Sequence, residues 1–216
     1  MGIDFPHVVG LAAGLDKNAD YVDALSSMGF GFIEVGTLTP RPQPGNPKPR
    51  MFRLKSEQAI INRLGFNNKG IEHACESIAK LRNRVVLGVN IGKNADTPVE
   101  QANQDYIHCL RRAYQLADYI TVNISSPNTP GLRNLQFGDE FNSLLDELKE
   151  EQARLQTQYK IYTPIVIKLA PDMAEGQIAS CCESLLSREF DGVIATNTTL
   201  DRSLVASHRH AQQAGG

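Results

Sequence analysis

The chain has no apolar run approaching the roughly 18 residues that a membrane-crossing helix needs. Its opening, MGIDFPHVVG, has no basic stretch ahead of an apolar one, so neither a span nor a signal peptide is expected. Excess charge is lacking too. The 216 residues carry a net −2, which gives no reason to expect nucleic acid or an anionic surface as partner. Cysteine is scarce. Cys75, Cys109, Cys181 and Cys182 have no metal-ligand spacing, and the adjacent pair falls in a helical pattern. All four read as reduced, mostly buried thiols in a reducing compartment. No histidine ends an apolar run. His7, His73, His108, His208 and His210 are scattered, which argues against a histidine general base or a zinc mechanism. No G-x-G-x-x-G follows the first strand-like run, so a dinucleotide fold has no support, and there is no internal repeat.

What is present is ordinary for a globular protein, with 41% hydrophobic and 21% charged residues and length for one domain or perhaps two. Apolar runs and helical stripes alternate. Val8 to Ala13, Gly31 to Thr37, Val85 to Ile91, Tyr119 to Ile124, Pro164 to Leu169 and Gly192 to Thr196 read as strands. Between them lie helical patterns. One runs from Asn18 to Met28, ahead of Gly29. A second is striped by Ile71, Ala74, Cys75, Ile78 and Leu81. A third starts at Thr97-Pro98-Val99-Glu100 with an N-cap, a proline at N1 and a capping-box Glu. A long helix is marked by Phe141, Leu144, Leu145, Leu148 and Leu155, and a last one by Ile178, Leu185 and Leu186. The alternation predicts a parallel sheet with helices outside, either an open doubly wound sheet or an incomplete eight-stranded barrel.

One stretch interrupts it. Leu38 to Gly70 begins with TPRPQPGNPKPR, too proline-rich for a helix or a central strand, and continues with MFRLKSEQAIINRLGF, which suits two short strands. Loops this long are usually functional. The richest stretch is YITVNISSPNTPGLRN at 119–134. Its apolar run breaks into Ser125-Ser126-Pro127-Asn128-Thr129-Pro130-Gly131, where two prolines fix the backbone. An ordinary turn has the same composition. Yet polar residues also crowd the ends of the other strands: Ala13-Gly14-Leu15-Asp16-Lys17, Gly36-Thr37, Asn90, Asn123, Lys168 and Thr196-Asn197-Thr198. In a barrel these converge on one mouth, and the mix of amides and lysines suits a planar, anionic ligand rich in carbonyl and N–H groups. Lys168 interrupts a run of Ile, Val and Leu. A lone lysine there is costly unless paired, with a ligand or in a buried salt bridge.

The motifs AAGLDK at 12–17, GTLTPRPQPGNPKPR at 36–50, INRLGFNN at 61–68, NIGKN at 90–94, NISSPNTPGLR at 123–133, VIKLAPD at 166–172 and ATNTTLDR at 195–202 together resemble dihydroorotate dehydrogenase, in its quinone-reducing, membrane-associated branch. The resemblance runs almost end to end. It implies an α/β fold, a (β/α)8 TIM barrel, about six βα units of which are present here, in one FMN-binding catalytic domain over 1–216. It implies FMN at the mouth, dihydroorotate oxidised to orotate in pyrimidine synthesis, and a quinone as final acceptor. By resemblance Ser126 is the catalytic base, where the cytosolic branch has Cys. Asn62, Asn123, Asn128, Asn197 and Thr198 hold the substrate, with Arg63, Leu64, Gly65 and Phe66 beside Asn62. Lys17 touches both substrate and flavin. Ala13, Gly14, Thr37, Asn90, Asn123, Lys168 and Thr196 contact the flavin.

The resemblance further implies peripheral attachment to the cell membrane on its cytoplasmic side, through an N-terminal helical segment expected to lie outside these residues. The chain by itself is expected to be soluble. Strands seven and eight are also expected to be missing, leaving the barrel and its phosphate grip incomplete. Asn62 is expected to reach the substrate from an insertion that covers the mouth. Two other readings fit the residues. One is a phosphate-binding barrel isomerase or aldolase with a Schiff base on Lys168, and the other is an inactive fragment.

Overall fold

The computed structural model describes residues 1–129 and 131–216; the expectation for Pro130 lies outside them. Five strands form one parallel sheet: β1 (Phe32–Leu38), β4 (Val86–Ile91), β5 (Tyr119–Asn123), β6 (Ile165–Leu169) and β7 (Gly192–Ala195), hydrogen-bonded in that order. An antiparallel hairpin, β2 (Met51–Leu54) and β3 (Ala59–Asn62), fills the middle of the proline-rich insertion. The helices are α1 (Val22–Ser26), α2 (Ile71–Ile78), α3 (Ala102–Ala113), α4 (Gly138–Tyr159) and α5 (Glu175–Ser187).

The strand order never reverses along the sheet. Right-handed crossovers that always step the same way put every helix on one face. A doubly wound sheet needs a reversal to cover its second face. The sheet is therefore an arc of a (β/α)8 barrel, with helices outside and a concave face within.

Period-two alternation divides the side chains accordingly. Ile33, Val35, Leu87, Val89, Ile91, Ile120, Val122, Ile165, Ile167 and Leu169 are buried in the main core with Ile71, Tyr106, Leu110, Leu144 and Leu148 of the helices. The alternate positions carry Glu34, Asn90, Thr121, Asn123 and Lys168, all buried and all polar. One face makes the fold, and the other makes an interior fit for a polar ligand.

Several elements depart from the sequence pattern. Val8 to Ala13 forms no strand. Leu11 alone bridges Ile33, and Val8 and Val9 are exposed, because only β1 flanks this segment among the described residues. The first helix shrinks to Val22–Ser26, since the buried Asp16 carboxylate accepts the N–H groups of Asn18, Asp20 and Tyr21 and winds them into a turn instead. Thr97 caps no helix. Pro98 is extended, Val99–Gln101 form a 3-10 turn, and the Thr97 carbonyl accepts the Lys93 ammonium at 2.8 Å. On α5, Cys181 and Leu185 are buried, whereas Ile178 and Leu186 face outward at 44% and 77% exposure. Here the sheet ends at β7, with no further strand beside it among the described residues.

Candidate active site

The carboxyl ends of the strands and the hairpin enclose a cleft of about 310 Å³. Ser126 lies in it, 4% exposed, in the loop after β5. Asn123 joins it from the end of β5, Asn128 from the same loop, and Thr196, Asn197 and Thr198 from the end of β7. Lys168 comes from β6, next to Asn123 in register, and Thr37 from the end of β1. Ala12, Ala13, Gly14 and Lys17 close one side, and Asn62, Leu64, Gly65 and Phe66 of the insertion cover another. Ala12 is a lining residue the sequence reading passed over.

Local backbone explains these placements. The β1–β4 register shifts between Val35 and Leu38. Gly36 sits there with φ +108°, and a Cβ on it would meet the Asn90 carbonyl oxygen at 2.4 Å. Only glycine permits this approach, which aims Thr37 at Asn90. The Gly36 N–H also donates to the Asp16 carbonyl, tying the loop of Lys17 to the end of β1. Asn94 holds the proline-rich segment by donating to Thr39, to the Arg41 carbonyl and to Gln43. Asn46 Nδ2 in turn donates to the carbonyls of Arg63 and Asn128, joining the insertion to the serine loop.

Beneath the cleft runs a chain of hydrogen bonds with one polarity. Asn197 Nδ2 donates to Ser125 Oγ (3.0 Å), and Ser125 Oγ donates to Asn123 Oδ1 (2.9 Å). Asn123 Nδ2 donates to Thr37 Oγ1 (2.9 Å), and Thr37 Oγ1 to Asn90 Oδ1 (2.6 Å). Asn90 Nδ2 donates to Glu34 Oε1 (2.8 Å). The Glu34 carboxylate, which also accepts from Tyr119 and Thr121, is an obligatory acceptor and ends the chain. It thereby orients three amides, Asn90, Asn123 and Asn197, and the Thr37 hydroxyl at four strand ends. Glu34 stands alone and charged in FIEVG, the same signal that marks Lys168, and it could have been read from the sequence. Ser125 had no such mark.

Two expected site residues do not line the cleft. Asn90 is fully buried below it and acts on Thr37. The Arg63 side chain turns away, lying over the Phe52 ring at 4.7 Å and donating to Gln213. Consecutive residues of an extended segment point to opposite sides, so Asn62 facing the cleft sends Arg63 outward.

The cleft is electropositive. Burial, and then the nearby Arg50 and Lys168, bring Lys17 down from an ordinary 10.5 to about 8. Among the described residues neither Lys17 nor Lys168 has a carboxylate partner or a side-chain hydrogen bond, so no salt bridge answers Lys168 among them. Ser126 Oγ accepts the Asn128 N–H at 3.2 Å. The site thus combines a sheltered hydroxyl, oriented amides and two cations lacking an anion.

Comparison with known proteins agrees with this architecture. The family model for dihydroorotate dehydrogenase matches residues 1–216. The chain is 60% identical over its whole length to a dihydroorotate dehydrogenase (quinone) of Marinobacter nauticus, and covers 64% of that protein. It is 58% identical to the Cellvibrio japonicus protein of the same name, covering 63% of it. A crystal structure of the Eimeria tenella enzyme DHODH with ferulenol superposes with a TM-score of 0.91 at 38% identity, over 100% of this chain and 62% of that one. The chain therefore spans just under two thirds of the length of these relatives. With the family model and relatives of this identity matching from end to end, and with this barrel arc beneath them, the chain belongs to the dihydroorotate dehydrogenase family.

Proposed function

We propose that the protein oxidises dihydroorotate to orotate in pyrimidine biosynthesis, with FMN bound in the cleft and a quinone as final electron acceptor, and that residues 1–216 are part of its flavin-binding catalytic domain. The observation that carries this reading is the pair Lys17 and Lys168, which share one cleft with Ser126 and four asparagines and have no counter-ion among the described residues. A sheltered ammonium without an anion is costly, so the cleft favours ligands that bring negative charge. The substrate carboxylate does so, and so does the pyrimidine edge of a flavin as it is reduced. The residues present thus fit the group, with Ala13, Gly14, Thr37, Lys168 and Thr196 on the flavin and Asn90 positioning Thr37.

A bound flavin supplies the acceptor for the hydride that leaves C6 of the substrate. Ser126 takes the C5 proton. A serine hydroxyl is a weak base, so its own proton passes to a solvent water as it takes the C5 proton. Loss of the C5 proton puts charge on the adjacent carbonyl, which the fixed amides of Asn62, Asn123, Asn128 and Asn197 stabilise without reorganising. Lys17 pairs with the carboxylate, and Thr198 adds a hydroxyl. The hairpin side, through Asn62, Leu64, Gly65 and Phe66, excludes water and so strengthens each polar contact. Quinone reduction belongs to the same proposal, supported by the names of the relatives, and so does peripheral contact with the cytoplasmic side of the membrane, which rests on the sequence resemblance alone. No helix among the described residues is long and apolar enough to cross a membrane.

The test is anaerobic. Purified protein should carry FMN, and dihydroorotate should bleach it. Ser126→Ala should keep the flavin and slow the bleaching by about 10² to 10⁴. A colourless protein that takes up no FMN, as the Schiff-base reading requires, would overturn the proposal. A normal bleaching rate in Ser126→Ala would remove Ser126 from its role.

A further inference from the structure

Two of the loops whose groups face the substrate, those after β5 and β7, meet the loop after β6 at one guanidinium. Arg133 Nε donates to the carbonyl of Ser125, the residue before Ser126, at 3.0 Å. Its NH2 donates to the carbonyl of Thr198 at 3.0 Å, in the loop after β7. Its NH1 donates to Asp172 Oδ2 at 2.9 Å, in the loop after β6. Asp172 continues the link by accepting the Leu200 N–H at 3.0 Å and the Thr199 hydroxyl. The base of this arrangement is firm. Arg133 stands in a 3-10 turn, Leu132–Gln136, anchored by the buried Leu132 and Leu135. Buried Gln136 reaches the same neighbour, since its Oε1 accepts the Ala170 N–H at 2.8 Å.

We propose that Arg133 and Asp172 are positioning residues. They hold the loops of Ser126 and of Asn197 and Thr198 at one fixed separation, so that proton removal and ring recognition occur on the same bound substrate. The inference rests on the proposed oxidation of dihydroorotate. Both side chains are about a quarter exposed, at 20% and 26%, so solvent screens the pair less than a surface ion pair. A planar guanidinium spreads its donors over three nitrogens in a fork and can bind two carbonyls and a carboxylate that lie apart, whereas a lysine concentrates its donors on one nitrogen. Among the groups assigned to the flavin, those on β1 and in the Lys17 loop have other supports, Gly36, Asp16 and the chain ending at Glu34. Lys168 lies within β6 itself, and Thr196 alone adjoins a loop that Arg133 holds. Arg133 should therefore matter far more to the substrate than to the flavin.

The experiment uses the whole protein with Arg133→Ala, Arg133→Lys and Asp172→Asn. FMN affinity, read by flavin fluorescence, should stay within about twofold of the parent. Orotate affinity and the rate of flavin bleaching by dihydroorotate should fall, the rate by about 10²-fold, as expected for a misplacement of about 1 Å. Arg133→Lys should not restore it. Amide hydrogen exchange without ligand is a second readout that stands even if the parent shows no flavin chemistry. The 124–129 and 196–200 loops should loosen together in Arg133→Ala, while the β2–β3 hairpin does not change. If Arg133→Ala does not fold, Asp172→Asn decides, because it keeps the shape and removes only the charge. Equal losses of FMN and orotate affinity would overturn the proposal, as would loosening confined to 131–136. A colourless parent that shows the paired loosening would instead refute the proposed function and leave the staple standing.

Discussion

Lys17 shows how a single residue trades stability for binding. Its folded value of about 8 lies below the ordinary 10.5, so the unfolded chain holds this proton more tightly. Stability therefore rises with pH between about 8 and 10.5, and below 8 the charged lysine is held at a cost on the order of 3 kcal/mol. Lys17→Met is expected to stabilise the ligand-free protein at pH 7, by up to that amount, and to have little effect at pH 10.5. Urea unfolding at the two pH values measures this; destabilisation at pH 7 would contradict it. The same substitution should weaken orotate binding by about tenfold or more, the scale of one charge-assisted hydrogen bond. In the parent, orotate affinity should fall as pH rises through about 8, because the anion needs the protonated lysine.

Among the elements, the β2–β3 hairpin stands apart. It has a small core of its own, Phe52, Leu54 and Ile61, separate from the one under the barrel helices. An element held by so few buried residues can open without unfolding the rest. Leu54 is fully buried, and Leu54→Ala should cost about 2 to 5 kcal/mol. The expected outcome is local. Hairpin amides should exchange faster, and orotate should bind more weakly through loss of the Asn62 to Phe66 wall. FMN binding and the exchange of β4 and β5 should not change. Loss of the whole fold on this substitution would show the hairpin to be part of the main cooperative unit. Its two strands were legible as MFRL and AIIN. That it covers the mouth was expected only beside the family resemblance, because nothing local fixes the direction of a loop that Asn94 holds from outside and that Asn46 ties to the Asn128 carbonyl.

For the whole molecule, the polar concave face implies that ligand and stability are linked. Buried polar groups without their ligand are costly, so a cognate anion should stabilise the fold beyond its effect on the cleft alone. FMN at about 100 times its dissociation constant should add about 2.7 kcal/mol, which corresponds to a rise of about 5 to 10 °C in Tm for a chain of this size. Calorimetry with and without FMN checks this, and an unchanged Tm would argue against a flavin site. Lys168→Met should abolish most of the rise, since it removes the interior cation.

The sequence alone determined the alternation of strand and helix, because β-branched runs and 3.6-residue stripes are local properties of the chain. It also placed Ser126, Asn123, Asn128, Lys168, Asn197 and Thr198 at strand ends, since chain breakers follow each apolar run. Tertiary structure decided the rest. The run from Val8 to Ala13 has a strand's composition, yet it touches its neighbour only through Val9 and Leu11 and forms no ladder, because a strand needs neighbours as well as propensity. Arg63 and Asn90 carry the right chemistry but lie outside the cleft, one turned out by alternation and one beneath it. Glu34 and Arg133 acquire their parts only when five strands lie side by side. Each acts through partners dozens of residues away, Asn90 and Thr121 for the one and Asp172 and Thr198 for the other. Local sequence contains no measure of such distances, and the sheet order that sets them is a property of the folded chain.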